Sequence, residues 1–195
     1  MTLKDRIVYE SLKLFSLNGY WHTSVTDILE AADTSKGGFY NHFASKEALF
    51  FAVLVEAQRI WREKTLNGLD EVDDPLMKIE QVLLNYRDRY LKDGDTFPGG
   101  CIFVTFSVEL DDQNPDLCAE VNKGFIGLKR MLNSYLDDAK AEGLLTDSVN
   151  TDEVTEMIFA GMLGASVLYG VDKSTTSLDY AIDSLIDYVK GLRAS

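Results

Sequence analysis

The chain has 195 residues, of which 46% are hydrophobic and 26% charged, and its formal net charge at pH 7 is −13. This composition is typical of a globular protein with a sizeable core and excludes an intrinsically disordered chain. The first residues lack the apolar region of a secretory signal, and no 18-residue apolar run is recognised, so the sequence predicts a cytoplasmic protein without a membrane partner.

Helical periodicity extends along almost the whole chain, without a convincing strand pattern or an internal repeat. Four helices are predicted in the N-terminal third, over residues 3–18, 25–32, 36–42 and 45–64. Asn18-Gly19 is the stop signal of the first helix. Ser24 is in position to cap the second helix, with Asp27 completing a capping box, and Ser45 is in position to cap the fourth.

The remaining sequence predicts five further helices, over residues 75–92, 101–110, 115–142, 151–170 and 175–193. Pro98-Gly99-Gly100 separates the first two of them, and Asn114-Pro115 combines an N-cap residue with a proline at the first helical position. Gly143 ends the longest helix. The sequence therefore predicts an all-α protein with nine helices.

Residues 19–50 contain the pattern with the clearest functional meaning. The two short helices are joined by only a few residues, so they can pack crosswise as a helix-turn-helix whose second helix protrudes. Its exposed side would carry Ser35, Lys36, Gly37, Gly38, Tyr40, Asn41 and His42. Each helical glycine costs about 1 kcal/mol relative to alanine, and close approach of another surface to the backbone is one reason to keep both.

Residues 35–49 read Ser-Lys-Gly-Gly-Phe-Tyr-Asn-His-Phe-Ala-Ser-Lys-Glu-Ala-Leu. This stretch resembles the run Ser-Lys-Gly-Thr-Leu-Tyr-x-His-Phe-x-Ser-Lys-Glu-x-Leu of the TetR family of bacterial regulators, and residues 23–28 resemble that family's entry into the helix before it. The resemblance implies a two-domain architecture. A three-helix DNA-binding domain would occupy residues 1–48, and a helical domain for effector binding and dimerisation would occupy residues 49–195.

The function implied by the resemblance is that of a homodimeric transcriptional repressor that a small-molecule effector releases from a palindromic operator in double-stranded DNA. The candidate DNA contacts are Ser24, Thr26, Ser35, Lys36, Gly37, Gly38, Tyr40, Asn41, His42 and Lys46. Tyr40, His42 and Lys46 are assigned mainly to phosphates. Each of these three has a structural alternative: a half-buried ring, a helix-capping or packing imidazole, and an ordinary surface lysine.

Two residues depart from the family pattern. Thr26 is shorter than the arginine or other long polar residue that often reaches a base, and Asp33 stands where glycine is usual in the turn. Aspartate tolerates a left-handed backbone better than most residues, so the turn is expected to form. By the same resemblance a carboxylate at this position would lie near phosphates, so the sequence leaves the strength of DNA binding open.

The distribution of charge restricts where DNA can bind. Residues 1–64 contain eight basic and eight acidic side chains, whereas the rest of the chain contains 11 and 24. An acidic body repels DNA at long range, so the contact must be local. This acidity leaves open a protein–protein adaptor that has lost specific DNA binding, and the sequence does not separate a repressor from an activator.

No catalytic triad, metal-ligand spacing or glycine-rich phosphate loop is recognisable, and both histidines, His22 and His42, lie in the helix-turn-helix segment. The sequence therefore predicts neither an enzyme nor a cofactor or metal site. Cys101 and Cys118 are expected to be thiols in a reducing cytoplasm, with a redox role as the alternative.

By the same resemblance, the C-terminal domain would hold an apolar or aromatic effector. The candidate pocket residues are Trp61, Tyr86, Tyr90, Phe103, Phe106, Phe125, Phe159 and Met162, although aromatic residues at helical spacing are also typical of plain core. The candidate dimer contacts are Gly161, Gly164, Ala165, Leu178, Ile182, Leu185 and Val189, with a monomeric helical core as the alternative. Glu109 is expected either to meet a cation or to be solvated.

Overall fold

A computed structural model describes residues 1–110 and 114–194. Within these ranges the chain forms nine α-helices: α1 (Leu3–Asn18), α2 (Val25–Ala31), α3 (Lys36–Tyr40), α4 (Lys46–Thr65), α5 (Pro75–Asn85), α6 (Ile102–Leu110), α7 (Pro115–Ala141), α8 (Thr151–Asp172) and α9 (Thr175–Gly191). The same residues contain no strand, and one isolated antiparallel bridge joins Leu145 to Arg193. The predicted all-α class is confirmed.

The predicted helix starts are also confirmed by their caps. The Asp27 amide donates to Ser24 Oγ at 3.1 Å, and the Ser24 amide donates to the Asp27 carboxylate at 2.7 Å, which completes the capping box of α2. Ser45 Oγ accepts a hydrogen bond from the Ala48 amide at 3.0 Å at the start of α4. Each cap satisfies amides that have no partner inside their own helix.

The chain divides into two compact units. The first comprises Met1–Ile60 and Asp93–Val121, and the second comprises Trp61–Lys92 and Asn122–Ser195. The division falls inside α4 and inside α7, so each of these helices contributes to both units. The predicted functional boundary after residue 48 remains a prediction.

Aromatic rings from α1, α4 and α6 meet in the core of the first unit. Phe15 lies edge-on to Phe106, with 6.1 Å between ring centroids, and Phe50 lies 4.7 Å from the same ring. All three side chains are buried. Helix α6 therefore belongs to the same hydrophobic core as α1 and the start of α4, although more than forty residues separate it from that part of the sequence.

The second unit packs α9 against α5 and α8. Its core combines apolar residues at helical spacing from all three helices, including Leu76, Ile79, Leu83, Ile158, Met162, Leu178, Ile182, Leu185 and Val189. Each helix thus buries one apolar face and leaves the opposite face polar or solvated.

The helix predicted over residues 75–92 differs from the one observed. After α5 the chain continues as a π-helix over Tyr86–Leu91. Arg87 donates to Asp183 Oδ1 of α9 at 2.6 Å, and Lys92 donates to Asp179 Oδ1 at 2.8 Å. These ion pairs hold the wider turn against α9. Apolar spacing does not distinguish a π-helical turn from an α-helical one, so the sequence pattern missed it.

Helix α8 corrects the expectation that no segment is apolar enough to cross a membrane. It has 22 residues, and its most apolar window has a mean hydropathy of 1.5, so length and composition alone would suffice. Core helices of soluble proteins meet the same criterion. In this chain α8 buries Ile158, Phe159 and Met162 within the second unit and packs against α9.

Candidate nucleic-acid interface

Helix α3 is short, and it is fixed at both ends by local contacts. The Gly38 amide donates to Ser35 Oγ at 3.1 Å, and the buried Phe39 ring holds the helix to the core. The turn before it places Asp33 at a φ of +44°. Arg6 Nη2 donates to the Asp33 carbonyl at 3.2 Å. The expectation that aspartate would accept a left-handed conformation here is confirmed.

Most of the predicted DNA contacts lie exposed on α2, α3 and the adjoining turns. The exposed members are Ser24, Thr26, Ser35, Lys36, Gly37, Tyr40, Asn41 and His42, while Gly38 and Lys46 are half-buried. Tyr40 is 47% exposed although its ring packs edge-on to Phe39 at 5.1 Å. The oxygens of Ser24 and Ser35 cap their helices, so these two side chains also position the surface that carries the others.

The two glycines of α3 differ in their internal surroundings. A Cβ at Gly38 would approach Thr34 Oγ1 to less than 2.5 Å, so side-chain packing explains part of the need for glycine there. A Cβ at Gly37 would meet nothing closer than Ser35 Oγ at 3.8 Å, which is ordinary van der Waals contact. Within the described residues, side-chain packing does not require glycine at position 37, so close approach of another surface to the helix is the reason that we test.

Replacement of Gly37 by alanine is expected to separate folding from DNA binding. The fold should gain up to about 1 kcal/mol of helix propensity. Operator affinity should fall about tenfold or more, as expected for the loss of a close contact worth about 1–3 kcal/mol. Thermal unfolding and fluorescence anisotropy with labelled duplex measure the two effects.

Gly127→Ala is the matched control, because Gly127 is likewise an exposed glycine within a helix. Among the described residues, a Cβ at position 127 would meet no atom within 4 Å. It should show the gain in stability without the loss of affinity. Equal operator affinity in the Gly37 variant and the wild type would contradict the assignment of this position to the interface.

Lys46 has an intramolecular role that the sequence analysis missed. Its ammonium donates to the carbonyls of Tyr20 at 2.8 Å and Thr23 at 3.1 Å, and it lies 4.2 Å from the centroid of the Tyr20 ring. Burial lowers the pKa of Lys46, and the nearby Glu109 carboxylate opposes that shift. Lys46→Ala would therefore disturb the loop before α2, so it does not test a phosphate contact on its own.

Glu109, near the end of α6, is bound to the same loop. Its carboxylate accepts the amides of Tyr20 at 2.5 Å and Trp21 at 2.6 Å, and its side chain is only 16% exposed. The expectation of a solvated side chain is wrong, since two backbone amides bind the carboxylate. Of the expected cation partners, the His22 imidazole lies nearby, with Nδ1 3.8 Å from Oε1. The only sequence signal is that Glu109 is the one charged residue in the otherwise uncharged α6.

The predicted pocket residues are distributed over both units. Phe103 and Phe106 lie in the first unit, and the other six lie in the second. Within the second unit Tyr86 and Tyr90 stack with 5.6 Å between centroids, and Phe125 lies edge-on to Phe159 at 5.4 Å. Phe106 belongs to the core shared with Phe15. The pocket itself remains a prediction.

The predicted dimer contacts on α9 are already buried within the second unit. Leu178, Ile182, Leu185 and Val189 form that unit's core, together with Ala165 of α8. Gly161 lies beneath Leu185, where a Cβ would come within 2.6 Å of Leu185 Cδ2, whereas Gly164 faces open space. The exposed apolar side chains of α8 lie on another face and are Met157, Val167, Leu168 and Val171.

In the part of the chain that the structure describes, no group of three or more His, Cys, Asp or Glu side chains is arranged to hold a metal ion. Cys101 is buried and Cys118 is half-buried. The exposed polar side chains of the helix-turn-helix are of kinds that hydrogen-bond phosphates and base edges.

Comparison with known proteins agrees with this description. The family model described as "Bacterial regulatory proteins, tetR family" matches residues 7–53, and the model described as "Tetracyclin repressor-like, C-terminal domain" matches residues 75–185. The chain is 24% identical over 183 residues to the HTH-type transcriptional repressor NemR of Escherichia coli strain K12, which covers 92% of this chain and 89% of that protein. It is 26% identical over 178 residues to the HTH-type transcriptional repressor DhaR of Mycobacterium sp. strain GP1, covering 91% and 87% respectively.

Among solved structures, a TetR transcriptional regulator from Chloroflexus aurantiacus J-10-FL superposes with a TM-score of 0.91 at 29% identity. The superposition covers 99% of this chain and 97% of that protein. The likeness therefore extends over the C-terminal helices as well as the helix-turn-helix.

Proposed function

Because this chain belongs to the TetR family of DNA-binding transcriptional regulators, we propose that it is a cytoplasmic, homodimeric repressor of a palindromic operator. The observation that carries the proposal is the exposed side of α3. It presents Lys36, Tyr40 and His42 beside a glycine that the fold itself does not need. A protruding helix with such residues fits the major groove of DNA.

The proposed DNA-binding domain comprises residues 1–48, as the resemblance implies. Lys36 supplies an exposed positive charge at the start of α3, where it could meet a phosphate. Glu30 and Asp33 line an open cleft beside Thr26 and oppose this attraction. DNA binding should therefore depend on close, local contacts and weaken steeply as salt rises.

A second copy of the chain is proposed to cover the exposed apolar face of α8. Leu168 is 59% exposed and Val171 is 80% exposed, and Gly164 on the same helix would let another helix approach closely. Exposed apolar patches of this kind are typical of interfaces between proteins. Dimerisation would place two α3 helices on two half-sites, which explains the expected palindrome.

The proposed effector is a small apolar or aromatic molecule that prefers the state unable to bind DNA. Support comes from the buried pair Tyr86–Tyr90 and from the half-buried Phe125 against the buried Phe159, both in the second unit. Aromatic walls with few charges suit such ligands. The effector need only bind the two states with different affinity to release the operator.

Selection of duplexes from a random library by the purified protein tests the proposal. We expect enrichment of a palindrome, with affinity for it falling steeply between low and moderate salt. The apolar and aromatic compounds that release this duplex would then identify the effector class. A folded dimer, free of carried-over ligand, that enriches no sequence would instead support a protein–protein adaptor.

A further inference from the structure

Helix α6 holds the loop between α1 and α2 through two backbone amides of that loop. Glu109 accepts the amides of two consecutive residues, Tyr20 and Trp21, one on each carboxylate oxygen. Gly19, at a φ of +80°, makes this approach possible, since a Cβ there would lie 2.5 Å from Glu109 Oε2. Hydrogen bonds to a carboxylate are stronger than those between neutral groups, so this pair fixes the loop firmly.

A lysine of α4 binds the backbone carbonyls of the same loop. Lys46 binds the carbonyls of Tyr20 and Thr23, and Thr23 Oγ1 donates to the Gly19 carbonyl at 2.7 Å. The residue that follows Thr23 is Ser24, the cap of α2. A carboxylate on one side and an ammonium on the other therefore hold the loop that leads directly into the first helix of the helix-turn-helix.

Other contacts keep α6 in place without Glu109. The Gly99 amide donates to Ser16 Oγ at 3.1 Å, and Phe106 packs against Phe15 and Phe50. The carboxylate is therefore not required to hold α6 to the first unit. Its specific contribution is to the loop of Gly19–Thr23.

We propose that Glu109 is a positioning residue for DNA binding, whose carboxylate fixes the Gly19–Thr23 loop so that α2 and α3 meet the operator in the correct orientation. This inference rests on the proposed operator binding. It predicts a result opposite to that of simple electrostatics. If charge alone matters, removing an acidic side chain from the first unit should strengthen its binding to DNA phosphates. If Glu109 fixes the loop, the same substitution should weaken operator binding.

The test uses the full-length protein and the duplex selected by the wild type. Glu109→Gln retains the size of the side chain and one acceptor oxygen, and Glu109→Ala removes both acceptors. We expect operator affinity to fall about tenfold in the Gln variant and further in the Ala variant, as for the loss of hydrogen bonds to a charged group. The slope of affinity against salt should not change, because no phosphate contact is lost.

Hydrogen exchange supplies a readout at the site itself. The amides of Tyr20 and Trp21 should exchange about tenfold faster in both variants, while those in the middle of α1 and α4 keep their protection. Asp116→Asn is the matched control, since it removes one exposed carboxylate from the same unit. It should leave exchange at the loop unchanged and affinity equal or slightly higher.

Unchanged or tighter operator binding by Glu109→Gln would overturn the inference even if the wild type binds its duplex well. Weaker operator binding with unchanged amide exchange at Tyr20 and Trp21 would also overturn it, because Glu109 would then affect DNA binding by some means other than fixing the loop. If the Ala variant fails to fold, the Gln variant decides the question. Failure of the wild type to select any duplex would overturn the proposed function and this inference together.

Discussion

Leu168→Glu combined with Val171→Glu is expected to convert the proposed dimer into monomers. Both side chains are exposed in the isolated subunit, so the substitutions should not disturb its core. In a dimer they would bring four carboxylates into an apolar interface, where unpaired charges are costly. Operator affinity should fall about 10²–10⁴-fold, since the second half-site contact is no longer intramolecular.

Light scattering after size-exclusion chromatography measures the mass, and circular dichroism reports whether the helices remain. Met77→Glu is the control, because Met77 is also an exposed apolar residue of the second unit but lies on α5. It should stay dimeric and bind the operator normally. A double variant that keeps the mass of a dimer at micromolar concentration would place the interface on another surface.

Phe106→Ala is expected to reduce the free energy of unfolding by about 3–5 kcal/mol, the usual cost of removing a buried phenylalanine. The ring is fully buried and packs against Phe15 and Phe50 in the core of the first unit. Since small domains typically have only about 5–15 kcal/mol of stability, such a loss should be visible as a much lower midpoint of unfolding. DNA binding should fail at temperatures where the variant unfolds.

The experiment separates a core role for Phe106 from the pocket role that the sequence also allowed. Chemical denaturation measures the stability, and Phe106→Leu, which fills more of the space, should lose clearly less. A core residue should not change the concentration of effector needed to release DNA below the unfolding transition. Wild-type stability together with an altered effector response in Phe106→Ala would support the pocket instead.

The helix-turn-helix was predictable because its signals are local. The capping box of Ser24 and Asp27 lies within four residues, and the open environment of Gly37 follows from its place on a short helix whose other face carries Phe39. Such signals depend on neighbours in sequence and on helical periodicity, both of which can be read from the chain.

Contacts between distant residues were not predictable in the same way. Glu109 lies 89 residues from Tyr20, and no spacing rule connects a carboxylate to backbone amides so far away. The sequence suggested a phosphate contact for Lys46, because nothing in the sequence shows that its ammonium binds the carbonyls of Tyr20 and Thr23. In both cases the sequence did not reveal the intramolecular partner of a charged group, because that partner depends on tertiary packing.

The apolar stripe of α9 illustrates a different limit. Its period correctly indicates a buried face, but the period is the same whether α5 and α8 or a second subunit covers that face. The stripe over Leu178, Ile182 and Val189 is buried by the subunit itself. The exposed residues Leu168 and Val171 became distinguishable only once the monomer's own contacts were known.

The first unit has a consequence for the construction of chimeric regulators. A graft that transfers only residues 1–60 onto another effector-binding domain would leave behind α6 and the loop before it. The transplanted segment would expose the faces of Phe15 and Phe50 and would lose the acceptor for two loop amides. The first unit is therefore not contiguous in sequence, and we expect a working transplant to need residues 93–121 as well, or a recipient that rebuilds their contacts.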